Sequence, residues 1–192
     1  MKIKLDCKLF FSAALLFDLV VLISLLIKPL SIRSYAEKNN KILRLECSLY
    51  DPFDPMKGRY VSLTFEETKG LLFDLMIDES ILKNTEDDKF KYDFPLVYAV
   101  FENDEKGISR LKEITLERPE ELKLFIRVPA HYYRNTDEFV LDVDFDRYYL
   151  QEEYADKLDH MSASRFKELN PVLELWVGKN GDAIQKDLVL SD

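Results

Sequence analysis

Residues 9–27 form a run of 19 residues in which Asp18 is the lone charge. A helix rises 1.5 Å per residue, so about 20 residues cross the roughly 30 Å hydrocarbon layer of a bilayer. The run has that length, and it ends at Lys28-Pro29. A central Asp costs roughly 2.5–3.5 kcal/mol on insertion, whereas each Leu, Ile, Phe or Val contributes roughly −0.3 to −0.6 kcal/mol. Fourteen such residues outweigh the Asp, so insertion is expected. The competing reading is a cleaved signal peptide, with Ser34-Tyr35-Ala36 as a small-x-small cleavage site. A signal h-region spans about 7–15 residues. This run is longer, and the candidate site lies nine residues past its end. The expectation is an uncleaved anchor.

The chain then divides into a short cytoplasmic tail (residues 1–8), a transmembrane anchor (9–28), a linker (29–41) and an extracytoplasmic β-rich domain (42–192). Lys and Arg flank the run on both sides, so the positive-inside rule does not choose an orientation. A very short N-terminal tail stays in the cytoplasm, which places the domain outside. Asp18 is the intramembrane contact candidate, because a carboxylate inside a bilayer prefers a donor on a partner helix to lipid.

Charge narrows the function classes. The chain carries a net −9, of which residues 1–36 hold +3, leaving −12 for the rest. A domain this acidic is repelled by phosphate backbones, so nucleic acid is not an expected partner. Cys7 and Cys47 lie on opposite sides of the apolar run, which separates them if the helix spans. With no Cys-x-x-Cys pair there is no zinc ribbon or dithiol redox centre. Cys47 alternates with Leu43, Leu45 and Leu49 and is read as a core thiol.

Beyond residue 41 the dominant period is two, the mark of half-buried strands. It runs through Leu43 to Leu49, through Val61, Leu63 and Phe65, through Leu122 to Val128, and through Phe139, Leu141, Val143 and Phe145. Residues 95–102 and 108–116 are further strands. Residues 172–177 and 183–190 flank Lys179-Asn180-Gly181-Asp182, a hairpin signal. Leu150, Tyr154, Leu158 and Met161 share one helical face, which predicts a short helix over about 150–161. The expected fold is mainly β, an antiparallel sandwich or small barrel with one short helix, preceded by one transmembrane helix.

No constellation specifies a reaction. Asp142, Asp144 and Asp146 with Glu153 imitate an EF-hand loop, but Arg147 stands where that loop needs Gly, so a solvated sheet face is the better account. His131 and His160 lack partners at metal-ligand spacing. No Gly-x-Ser-x-Gly turn and no phosphate-binding Gly loop occurs. No metal and no cofactor is expected.

One segment stands out, Asp51-Pro52-Phe53-Asp54-Pro55-Met56-Lys57-Gly58-Arg59-Tyr60. Two Asp-Pro steps impose an extended, turn-rich path, and Gly58 permits a positive φ before the next strand. It is read either as a rigid connector or as a surface loop offering carboxylates and aromatics to a partner. The segment resembles the GDYXXLXY family of bacterial membrane-anchored proteins, in which a Gly-Asp-Tyr-x-x-Leu-x-Tyr motif follows an Asp-Pro-rich stretch. Asp51, Pro52, Asp54, Pro55, Gly58, Tyr60 and Leu63 match, while Arg59 replaces an Asp and Phe65 a Tyr. Arg147-Tyr148-Tyr149-Leu150-Gln151-Glu152 resembles a later family segment, with Gln151 in place of a Pro. The resemblance nominates Asp51, Pro52, Asp54, Pro55, Gly58, Arg59, Tyr60, Arg147, Tyr148 and Glu152 as binding candidates. It implies a single-pass protein of the bacterial cytoplasmic membrane with its domain outside, accompanying polytopic membrane proteins.

Two functions follow as expectations. The first is a non-catalytic envelope module that binds another integral membrane protein. The alternative is an extracytoplasmic hydrolase acting on envelope material, marked by a cleft that gathers Asp51, Asp54 and Glu152.

Overall fold

The computed structural model describes residues 7–51, 60–71, 76–77, 81, 95–133, 136, 138–149 and 163–190. Its first element, α1 (Cys7–Asn39), is 33 residues long, about 50 Å of helix. Among the described residues it is the one helix long and apolar enough to cross a membrane. Leu15, Leu16, Phe17, Leu22, Leu25 and Leu26 are all exposed along it.

The segment read from sequence as a linker is helical as far as Asn39. Pro29 lies inside the helix, where it has no N–H to bond back to the Leu25 carbonyl and its ring crowds that carbonyl. Ile32 and Ala36, one turn apart, are buried. They pack against the hairpin of β10 (Val172–Val177) and β11 (Ala183–Val189). The helix stops where Asn40 takes a left-handed φ of 51° and Lys41 N–H donates to Ala36 O at 2.9 Å. That bond spans the six-residue closure of a Schellman cap, and it turns the chain directly into β1 (Ile42–Asp51).

Two sheets follow. The first has the order β11-β10-β1-β2-β9, with β2 at Tyr60–Phe65 and β9 at Arg147–Tyr149. The second has the order β3-β8-β7-β5-β6-β4. Its strands are β3 (Lys69–Leu71), β4 (Met76–Ile77), β5 (Leu96–Asn103), β6 (Ser109–Thr115), β7 (Leu124–Tyr133) and β8 (Glu138–Leu141). All described pairings are antiparallel except β4 with β6. The fold is mainly β, and the first sheet curls until it nearly closes as a barrel.

The alternating residues meet between the sheets. Leu43, Leu45 and Cys47 of β1 and Leu63 and Phe65 of β2 share one core with Val97, Ala99, Ile126, Val128, Phe139 and Leu141. Leu173 and Leu175 of β10 join it, as does Phe166 of the short helix α2 (Ala163–Glu168). Burial pushes the Cys47 thiol up to about 12, against the opposing effect of a backbone hydrogen bond at Leu173. The thiol is therefore a core group and not a nucleophile.

Two expectations need correction. The strand read over 139–145 stops at Leu141, although Phe145 remains buried and meets Phe65 edge-on at 5.5 Å. Leu122, read as the start of a strand face, is 90% exposed in the loop before β7. The helix expected over 150–161 lies outside the described residues.

Across the outer face of the first sheet, Glu174 of β10 binds Arg44 Nε of β1 at 2.7 Å and Lys186 of β11. Burial works to raise the Glu174 carboxyl, but the hydrogen bonds and charges of Lys186 and Arg44 outweigh it and hold the group below its ordinary 4.5. A carboxyl lowered by folding stabilises the fold above its unfolded pKa and loses that contribution as pH falls through the folded value. Stability should therefore decline in acid below about pH 4.5. Glu174→Gln should cost about 1–3 kcal/mol near neutrality and flatten this decline, as read from melting curves at several pH values. Leu63, 3% exposed, should cost about 2–5 kcal/mol on truncation to Ala, measured by denaturant unfolding of the full chain in detergent.

Candidate functional site

The candidates from the two motif stretches meet on paired strands. Tyr60 pairs with Tyr149, Val61 with Tyr148, and Ser62 with Arg147. Asp51 closes β1 beyond a register shift between Leu49 and Asp51. Pro52, Asp54, Pro55, Gly58, Arg59 and Glu152 lie outside the described residues, as does the side chain of Tyr60. Asp18 sits on the exposed stretch of α1. The side chains of Asp51, Asp54 and Glu152, whose shared cleft would mark a hydrolase, all lie outside the described residues.

What the second motif does locally is visible. β9 and β11 are the two edges of the curled sheet, and side chains bridge them where no backbone ladder does. Gln185 Nε2 of β11 donates to Phe145 O at 3.0 Å and to Arg147 O at 2.8 Å. Tyr148 reaches from β9 to the backbone of Leu188 and the carboxylate of Asp187. Burial raises the Tyr148 phenol above its ordinary value, the Asp187 charge adds to that, and the Leu188 hydrogen bond opposes it. Tyr148 is half-buried against the core, so it is a closing element as well as a motif residue. Arg147 and Tyr149, flanking it, are exposed on the other face of the strand.

Beside this seam an open cleft of about 620 Å³ runs between residues 142–149 and 183–185. Asp142, Asp144 and Asp146 line it with Arg147 and Tyr149. The three carboxylates lie in the connection from β8 to β9, not along a strand. Among the described residues no group of three or more His, Cys, Asp or Glu is arranged to hold a metal ion. His131 of β7 stacks on Tyr133, with ring centroids 6.4 Å apart.

A second constellation, which sequence reasoning did not single out, surrounds the point where α1 meets the domain. Lys28 Nζ binds Asp182 Oδ1 at 2.8 Å. The Arg33 guanidinium lies 4.9 Å from the centroid of the Trp176 ring. A Cβ on Gly178 would stand 3.1 Å from Ile32 Cγ1, so the helix sits on the hairpin at glycine distance. The loop Lys179-Asn180-Gly181 turns with Gly178 N–H donating to Asp182 O at 2.8 Å and with Gly181 at φ 85°. This is a three-residue hairpin loop with glycine in the left-handed position. Its Gly181 O accepts from Arg127 N–H at 2.9 Å, and a Cβ there would lie 2.8 Å from that nitrogen. The turn thereby ties the first sheet to β7 of the second. The spacing of Lys28, Ile32 and Ala36, four residues each, was the available signal, since it marks one face of a helix.

The chain matches the family described as GDYXXLXY protein over residues 21–188. It belongs to the GDYXXLXY family. No curated protein and no solved structure matches it. The family match extends from within the apolar run into β11, so the docked end of the helix, the docking turn and the barrel seam fall inside one family unit.

The seam generates a test. Gln185→Ala removes two hydrogen bonds and should cost about 1–3 kcal/mol. Hydrogen exchange should accelerate at residues 145–149 and 185–188 while the amides of β5 and β7 keep their protection. Uniform acceleration across both sheets would show that Gln185 has no special part in closing the seam.

Proposed function

We propose that the chain is a single-pass protein of the bacterial cytoplasmic membrane whose domain, outside the cytoplasm, is a non-catalytic module that binds another integral membrane protein. The observation that carries this reading is the continuity of α1. Its exposed apolar stretch runs without interruption into a segment whose Ile32 and Ala36 are buried against the β10–β11 hairpin. An anchor of this kind does more than tether. It presents the domain at the bilayer surface in a defined attitude, which suits recognition of a neighbour in the same membrane. Ser34-Tyr35-Ala36 lies inside this docked helix with Ala36 fully buried, which favours an anchor over a cleaved leader. Asp18, four turns before Ile32, supplies a polar group at mid-bilayer depth for a donor on the partner helix.

The test is crosslinking in the native membrane, with a photoreactive residue at Leu15 or Leu22, one turn either side of Asp18. One discrete membrane protein should be captured, and Asp18→Leu should reduce that capture at least five-fold without changing the amount of chain in the membrane. Capture that is diffuse, or indifferent to Asp18→Leu, would remove the basis for an intramembrane partner.

A further inference from the structure

The junction between α1 and the domain forms an open cavity of about 260 Å³, lined by Lys28, Pro29, Arg127, Asp144, Asp182 and Ile184 among others. A second cavity of about 310 Å³ shares Arg127 and Asp182 and adds Tyr98, Arg118 and Asn180. Arg127 and Asp182 line both. Together they set three cations against two carboxylates, a local excess of positive charge on a domain whose residues 37–192 carry a net −12.

The committed and uncommitted charges can be told apart. Asp182 is paired with Lys28 at 2.8 Å. Arg118 Nη2 donates to Lys179 O at 2.9 Å. The Arg127 guanidinium lies 5.9 Å from the Tyr98 ring centroid, and among the described residues it has no hydrogen-bond or ion-pair partner. An exposed guanidinium presents a planar fork of N–H donors that matches two oxygens of a phosphate. The face of Tyr98 holds it without consuming those donors.

Position selects the ligand. Lys28 is the first residue after the apolar run, so a helix inserted through residue 27 places it at headgroup depth. Long cationic side chains at a span end reach into that layer. Pro29 and Ile184 give the cavity an apolar side as well. We propose that this junction is a docking site for the phosphodiester headgroup of a membrane lipid, gripped by Arg127 and by the N–H donors that Lys28 keeps beyond its pair with Asp182. Asp144 and the carboxylate of Asp182 face the hydroxyl or ammonium end of the headgroup. The site rests on the reading of α1 as a membrane anchor. It explains how so acidic a domain sits against an anionic surface, since the local cations offset the repulsion where the two meet.

The experiment uses the full chain, purified in detergent and titrated with dioleoyl-phosphatidylglycerol, dioleoylglycerol or glycerol 3-phosphate, with bound species read by native mass spectrometry. One phosphatidylglycerol should survive removal of the detergent. Arg127→Gln should lower that lipid-bound fraction at least five-fold with an unchanged melting temperature. Lys106→Gln, in the turn at the opposite end of β6, should leave it as it was. Dioleoylglycerol, which has the chains but no phosphodiester, should not be retained. Equal retention of phosphatidylglycerol by the Arg127→Gln variant, or of dioleoylglycerol by the unaltered chain, would overturn the proposal. Binding of glycerol 3-phosphate as tight as that of the lipid would overturn the assignment to a membrane ligand. Alkaline extraction of membranes separates the two levels of failure. If the unaltered chain is released, the anchor reading falls. If both chains stay in the membrane while lipid retention ignores Arg127, the headgroup site alone falls.

Discussion

Ile32 presses on Gly178 at a distance where a single added carbon would crowd it, and the rest of the architecture is arranged around that contact. The helix can lie so close because the hairpin carries no side chain at that point. Ala36, the next residue on the same face, is small enough to continue the approach. Once the helix is seated, Lys41 N–H closes its last turn on Ala36 O and Lys41 O accepts from Val177 N–H at 3.0 Å. The first strand is thereby placed in register with β10. Lys41 Nζ then reaches Leu122 O and Lys123 O, and burial lowers its pKa, with Glu121 opposing the shift. A few residues at the helix exit so connect α1, the first sheet and the loop that leads into the second.

The hairpin turn has a second duty on its other side. Gly181 meets the backbone of β7, so the turn that receives the helix also joins the two sheets. Its left-handed φ and the lack of room for a Cβ demand glycine for independent reasons. The Asn-Gly pair is a local turn signal, yet the tertiary contact is what makes substitution at Gly181 doubly unfavourable.

Most strands were legible because alternation reports burial, and burial is what a two-layer β fold imposes on its sequence. The same logic explains where the reading failed. Val143 and Phe145 still face the core, so alternation continued past Leu141 although the ladder had ended. Alternation records which side chains are covered, and a connection can cover them as well as a strand can. Leu122 failed in the opposite way, extending a genuine strand pattern into an exposed loop. The motif candidates were legible as a list, but their juxtaposition was not. Ser62 and Arg147 are far apart in the chain and adjacent in the sheet. Gln185, which bridges the seam, carries no signal in its local sequence.

By itself the sequence determined the apolar run, the acid-rich domain beyond it, the β class of that domain and its family. Each of these rests on a local property: side-chain polarity, period or motif. Whether the chain after Pro29 would be a slack connector or a docked helix was not a local matter. Its polar residues suit both states, and propensity distinguishes them by a fraction of a kcal/mol per residue. Burial of Ile32 and Ala36 against a hairpin about 140 residues later in the chain made the choice, because apolar area removed from water outweighs such small preferences. The same packing drew Lys28, Arg127 and Asp182 around one cavity, a grouping that exists only once the two sheets and the helix have met.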